Sequence, residues 1–383
     1  MHIDTDLARF MDNGGNTAAF LCPEWLSLCI CYNQKMLQKD ARHFDYLDGY
    51  KGFAILLVVM SHMDILRLGS TSNAIFFGIA GFLTAAPFSD DRMGRYNSVK
   101  SILKFYYKKI IRIIPSYYLV LSLVMLCTGE LFMSVEQNLK NFIFMDIYGH
   151  LWFIRQLMLM YLLTPLIYLF LALLSKIRIL DNDLFRAVFL FAFAIVFRLF
   201  LTPQVFYLIH DSKRTLFRLF QFLVGIGIAY LYLFIKKTGF IKTLQKYSVV
   251  VTALEIMIMF IVFASSDAVT SLLNPELKGV HFGWTYPLIC SFVMCTLLLL
   301  ITAVQDSPVA KLFSLKPFVF VGKISLQIYL IHWFIIPYIN LGNKFINCIV
   351  VALLSIIAGY AIFYVNEFIA RSMNKLIPGT KKA

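Results

Sequence analysis

The chain has 383 residues, 60% of them hydrophobic, and a formal net charge of +14; its mean hydropathy is +0.76. Soluble domains are nearer half apolar, so a soluble globular fold is excluded. Apolar runs of about 20 residues recur along the whole length, continuous rather than alternating, which reads as a polytopic helical membrane protein and excludes a barrel.

Residues 1–45 are mixed in character. Their apolar patch, Ala18 to Tyr32, is interrupted by Pro23 and Glu24. It is too short to span and is compatible with an interfacial helix; no basic segment precedes it as in a signal peptide. Met36 is an alternative start. The spans then follow as about ten helices, near 53–68, 70–88, 110–128, 151–174, 187–203, 216–235, 247–265, 284–304, 318–339 and 346–369. With no Pro/Gly/Ser linker, no repeat and no appended soluble domain, residues 46–370 read as one all-α membrane domain, with 371–383 a basic tail. Lys and Arg concentrate in alternate loops, for example Arg92 to Lys109, Lys236 to Lys246 and Lys311 to Lys316, and in the tail. This asymmetry predicts that both termini are cytoplasmic. It also accounts for most of the net charge, so no nucleic-acid partner is expected.

Seven cysteines scattered beside and within apolar segments do not form a disulfide framework. Cys22, Cys29 and Cys31 with His43 match no standard zinc spacing, and no metal is expected.

The first helix contains Asp48-Gly-Tyr-Lys51-Gly and, eleven residues after Lys51, His62. Eleven residues at about 100° each return to nearly the same face, about 16 Å further along the axis. One stripe therefore holds a cation near the water and a titratable base deep inside. An ionisable group inside a span is a functional candidate by default; the plainer reading of His62 is a neutral ring packed between helices. A second basic cluster, Lys108-Lys109-Ile-Ile-Arg112-Ile-Ile-Pro115, opens the third helix. Positive-inside anchoring accounts for Lys108 and Lys109, but Arg112 lies deeper, where it needs a carboxylate, a phosphate or carbonyls. Arg155, Arg198 and Arg218 face the same shortage of acids, which favours an anionic ligand. His150-Leu-Trp152 lies at the outer start of the fourth helix, where Trp is commonly a belt residue. His332 lies in the outer part of the ninth helix, either facing His62 or capping a packing network. No phosphate-binding Gly loop, G-x-S-x-G elbow or H-E-x-x-H occurs.

These segments, taken in order, resemble membrane acyltransferase family 3, the integral-membrane O-acyltransferases of cell-surface polysaccharides. Lys51 to His62 resembles that family's first-helix Arg, ten residues, His. Phe76 to Leu83 resembles its second-helix segment, and Arg112-Ile-Ile-Pro-Ser-Tyr117 its third. Leu151-Trp-Phe-Ile with Tyr161-Leu-Leu-Thr-Pro165 is similar to its fourth, and Phe222 to Ala229 to its sixth. Gly322-Lys-Ile-Ser325 to Tyr329-Leu-Ile-His332 resembles its late Gly-x-Ile-Ser-x-x-x-Tyr-Leu-x-His, and Glu367 falls where a late Glu is usual. Two positions depart: Lys51 stands for the preferred Arg, losing the bidentate fork, and Ala80 for the usual Ser.

The resemblance implies transfer of an acyl group, acetyl foremost, from cytoplasmic acyl-CoA to a hydroxyl of a cell-surface carbohydrate or its lipid-linked precursor, in a bacterial-type inner membrane. Acetyl-CoA is the implied co-substrate. Lys51 and Arg112, helped by Lys108 and Lys109, are implied to hold its phosphates. His62 is implied to act as base or acyl carrier. Trp152, Tyr329 and His332 are implied to line the acceptor side, with Asp48, Ser325 and Glu367 in support. Oligomeric state is left open. The competing reading is a transporter or flippase for an anionic or lipid-linked sugar, which predicts repeats that the sequence does not show.

Overall fold

The computed structural model describes residues 44–88, 96–130, 134–146, 148–177, 181–201, 218–266, 269 and 286–376. Cys22, Cys29, Cys31, His43 and the patch Ala18 to Tyr32 lie outside them. Among the described residues the regular structure is helical, without strands. Four helices are long and apolar enough to cross a membrane: Val99–Cys127, Trp152–Leu174, Leu219–Lys237 and Lys344–Asn374; two bent pairs raise the number to six. Their outward faces are apolar. Leu162, Leu166, Leu169 and Leu173 on one helix, and Ile349, Leu353 and Ile357 on another, are exposed at helical spacing, as lipid-facing helices require.

Helix α1, Asp45–His62, starts before the predicted residue 53. Hydropathy discounts the three charges of its first two turns, Asp45, Asp48 and Lys51, but the fold buries residues 46–50. Asp48 is 4% exposed and its Oδ1 lies 2.5 Å from Lys51 Nζ, so the pair enters partly neutralised. Helix α2 follows at Gly69–Thr84. Helix α3, Val99–Cys127, begins well before the predicted residue 110, because Ser98 caps it by accepting from the Ser101 N–H. Lys108 and Lys109 are therefore not at the helix mouth but more than two turns inside it. Lys100, Lys104 and Lys108 form an exposed stripe.

A short surface helix α4, Val135–Phe142, precedes α5, Trp152–Leu174. Helix α6, Asp183–Val196, continues into a π-turn at Phe197–Leu201. Helix α7 is Leu219–Lys237. Helices α8, Phe240–Lys246, and α9, Ser248–Ala264, meet at 82°. Helix α10, Pro287–Ala303, leads to the short α11, Pro308–Phe313. The single span predicted at 318–339 is broken: α12, Lys316–Lys323, and α13, Ser325–Ile335, form a 76° bend. Helix α14, Lys344–Leu376, is the longest.

The break has a packing reason. Helix α12 lies against α1 at backbone contact: a Cβ built on Gly322 falls 1.7 Å from the Asp48 carbonyl oxygen, and one on Gly52 falls 2.2 Å from that of Phe318. A straight α12–α13 helix cannot both lie in that groove and run beside α14. Helices α2 and α7 cross equally closely, at Gly81 and Gly225.

A buried polar knot ties α3, α13 and α14 together. Asn366 Oδ1 accepts from the Ser116 N–H at 3.1 Å and its hydroxyl at 3.0 Å, and the Gln327 amide donates to the Ser116 oxygen at 3.0 Å. The Ser116 N–H follows Pro115, which interrupts the helical ladder. Removing one member leaves buried donors unpaired, at about 1–3 kcal/mol. Asn366→Ala is expected to lower the melting temperature of the detergent-solubilised protein by several degrees. An unchanged melt contradicts the importance of the knot.

Candidate functional site

A cavity of about 110 Å³ lies where α1, α2, α3, α5 and α13 meet. Lys51, Lys109 and Arg112 supply its positive wall, and Tyr161, Ser325 and Tyr329 its polar edge; Ala80 is also in its lining. Each comes from a segment that the sequence singled out. Lys51 is held by Asp48, and Arg112 and Lys323 are positive charges within its electrostatic reach. The Lys109 ammonium sits 4.2 Å from the Tyr161 ring centre, a cation–π contact. Convergent cations beside one carboxylate favour an anion that brings more charge than Asp48 supplies, and phosphate oxygens fit this demand. The volume is below the roughly 300–1,000 Å³ of whole-ligand pockets, so the cavity takes part of a long ligand.

Three sequence candidates are elsewhere. Lys108 is exposed and lies outside the cavity lining. Glu367 is 39% exposed and faces Arg371 at 3.9 Å; its neighbour Asn366 is the residue that turns inward. Trp152 packs edge-on against Phe153 at 6.2 Å.

The far end of the α1 stripe meets two further imidazoles. His62 ends α1, His150 lies just before α5, and His332 is on α13. Ring centres are 4.5 Å apart for His62–His150, 5.3 Å for His62–His332 and 5.0 Å for His150–His332. Trp333 walls the group, stacked on His150 at 5.0 Å and edge-on to His62 at 4.9 Å. His332 Nδ1 lies 2.9 Å from the Tyr329 carbonyl and 3.1 Å from that of Ile328. Two acceptors demand a proton on Nδ1, which leaves Nε2 with its lone pair. That Nε2 and the Nε2 of His150 are buried and have no hydrogen-bond partner among the described residues.

Tyr329 connects the two halves. Its ring lines the cavity, and its hydroxyl donates to the His150 carbonyl at 2.5 Å. Tyr329 thus touches both the cavity and the imidazole group, with its ring 5.0 Å from that of His150 and 5.8 Å from that of His332.

Sequence reasoning placed His62, Tyr329 and His332 but did not nominate His150 or Trp333. Their signal was adjacency, in His150-Leu-Trp152 and His332-Trp333, with nothing local to say that they converge.

Lys51→Ala removes a cavity cation and the positive partner that the buried Asp48 carboxylate has at 2.5 Å. Breaking a buried pair on one side costs about 3–5 kcal/mol. Poor folding of Lys51→Ala with normal folding of Lys51→Arg is the expected pattern, read by monodispersity and thermal melting. Equal stability of Lys51→Ala and the parent contradicts it.

The sequence profile of the family described as Acyltransferase domain matches residues 44–367. The chain belongs to this family, the membrane acyltransferase family 3, and is a membrane protein of the acyltransferase class. Relatives include the O-acetyltransferase OatA of Staphylococcus aureus strains NCTC 8325 / PS 47 and COL. Each is 26% identical over 339 residues, covering 80% of this chain and 53% of the relative. The chain therefore spans about half the length of the curated relatives it matches. No solved structure matches it.

Proposed function

We propose that the protein transfers an acyl group, acetyl foremost, from cytoplasmic acyl-CoA to a hydroxyl of a cell-surface carbohydrate or its lipid-linked precursor. It does so in a bacterial inner membrane, with about ten spans and both termini in the cytoplasm. The observation that carries this reading is that Tyr329 borders both the cavity and the imidazole group. Lys51, Lys109 and Arg112 line one end, Tyr329 borders both, and His62 lies at the other. An acyl-CoA has this polarity, with phosphates at one end and a thioester at the other.

In this mechanism the cations hold the donor phosphates and the pantetheine arm follows the α1 stripe. His62 takes the proton of the acceptor hydroxyl, whose oxygen attacks the thioester carbonyl carbon. The C–S bond breaks, and the CoA sulfur receives the proton that His62 took. Alternatively His62 itself accepts the acyl group and passes it on, with the same net balance. The relatives' printed name, O-acetyltransferase, supports acetyl as the group.

The test is transfer from labelled acetyl-CoA by purified protein in liposomes, to an added carbohydrate or to water. Turnover dependent on His62 is the expected result. No turnover and no acetyl-CoA binding by folded protein overturns the reading and makes solute flux the next assay.

A further inference from the structure

We infer that His62, His150 and His332 form a binding site for one first-row divalent metal ion, zinc foremost. Their ligating nitrogens all lie within 4.8 Å of one another. The ring spacing agrees with coordination. A zinc–nitrogen bond of about 2.0–2.1 Å puts each ring centre about 3.2 Å from the ion, and near-tetrahedral angles then separate ring centres by about 5 Å. The observed separations are 4.5, 5.0 and 5.3 Å.

The outer hydrogen bonding fits as well. Metal-bound histidines commonly donate their second ring N–H to a backbone carbonyl, which fixes the tautomer and the orientation. His332 does so through Nδ1. The nitrogen thereby left as a lone pair is buried in a residue with 0% exposure and has no partner among the described residues; His150 Nε2, in a residue 9% exposed, is also buried without a hydrogen-bond partner there. Mere packing of neutral rings leaves both atoms unpaired, at about 1–3 kcal/mol each. A cation satisfies both together with His62.

The chemistry selects the ion. Three imidazoles suit zinc, copper or nickel, whereas magnesium and calcium require oxygen ligands. Three protein ligands leave a fourth position open.

The inference does not depend on the acyl-transfer reading. It has one consequence for it: an ion on His62 occupies the lone pair that a base uses, so zinc loading is expected to slow transfer and chelation to restore it. Should zinc instead be required for transfer, the free-base role of His62 falls while the site stands.

The test is made without turnover. Full-length protein is stripped with chelator in detergent, dialysed against zinc, and its metal content measured. The expectation is about one zinc per chain, with at least tenfold weaker binding by His150→Ala and His332→Ala. Zinc should raise the melting temperature of the parent but not of these variants. Absence of binding by the parent, or undiminished binding by folded variants, overturns the proposal. If the variants do not fold, cobalt(II) substitution in the parent decides. A tetrahedral nitrogen-ligand spectrum supports the site, and a thiolate charge-transfer band assigns the metal to cysteine and overturns it.

Discussion

Replacing His62 by Ala is expected to lower acyl transfer by about 10²–10⁴-fold, the usual contribution of a positioned acid–base group, and to leave the protein folded in the membrane. His62 lies at the end of α1, half-buried, on the stripe that begins at Lys51, and in the proposed mechanism a donor held in the cavity reaches it past Tyr329. The side chain makes ring contacts with His150, His332 and Trp333, and among the described residues it joins no hydrogen-bonded knot such as that of Asn366. Truncation therefore removes chemistry more than support. His62→Gln separates the two. It fills nearly the same space and restores packing, yet it has no titratable nitrogen, so it should be as inactive as Ala. Transfer by either variant within about threefold of the parent would remove His62 from the mechanism. The measurement is initial rate in liposomes, with orientation and amount of protein matched.

The second large effect is structural. Gly322→Val is expected to destabilise the protein by more than about 3 kcal/mol, above the usual range for an overpacked core, and to yield little monodisperse material. A Cβ here meets the Asp48 carbonyl oxygen at 1.7 Å, its carbon at 2.5 Å and the Gly52 nitrogen at 3.0 Å. These are backbone atoms, so no side chain can turn aside, and α1 must separate from α12. The same displacement moves Asp48 and Lys51, so cavity and fold fail together. A contrasting position is Gly342, with φ +77° and nothing within 4 Å of a built Cβ. Asn tolerates that backbone, and Gly342→Asn should be nearly neutral. Comparable melting temperatures for Gly322→Val and Gly342→Asn would show that the helices separate freely.

Much of the protein was legible in the linear sequence. Apolar runs of membrane length follow from the absence of water as a backbone partner in lipid, so helical type shows in composition; against the ten spans read there, four to six helices among the described residues are long and apolar enough to cross. The Lys51–His62 stripe is legible because helical periodicity is local: positions eleven apart share a face whatever else the chain does. Tyr329 and His332 were likewise visible, as polar residues on an apolar segment that has little other reason to hold them. The ordered motifs from Asp48 to His332 identified the family.

Other features were decided only by the tertiary structure. Helix α1 begins in a charged turn because Asp48 and Lys51 neutralise each other against α12, and hydropathy counts charges without seeing pairs. The predicted ninth span breaks at Ile324 because Gly322 must reach the α1 backbone, a contact between residues more than 250 positions apart. Asn366, rather than Glu367, faces the interior because the rotation of α14 is set by packing against α13 and α3, and one residue is a 100° turn. Most of all, the meeting of His62, His150 and His332 depends on how three separate segments pack. Local periodicity specifies which face of its own helix a side chain occupies; the partners across that face are fixed by close approach between helices, here through glycines that allow backbone contact.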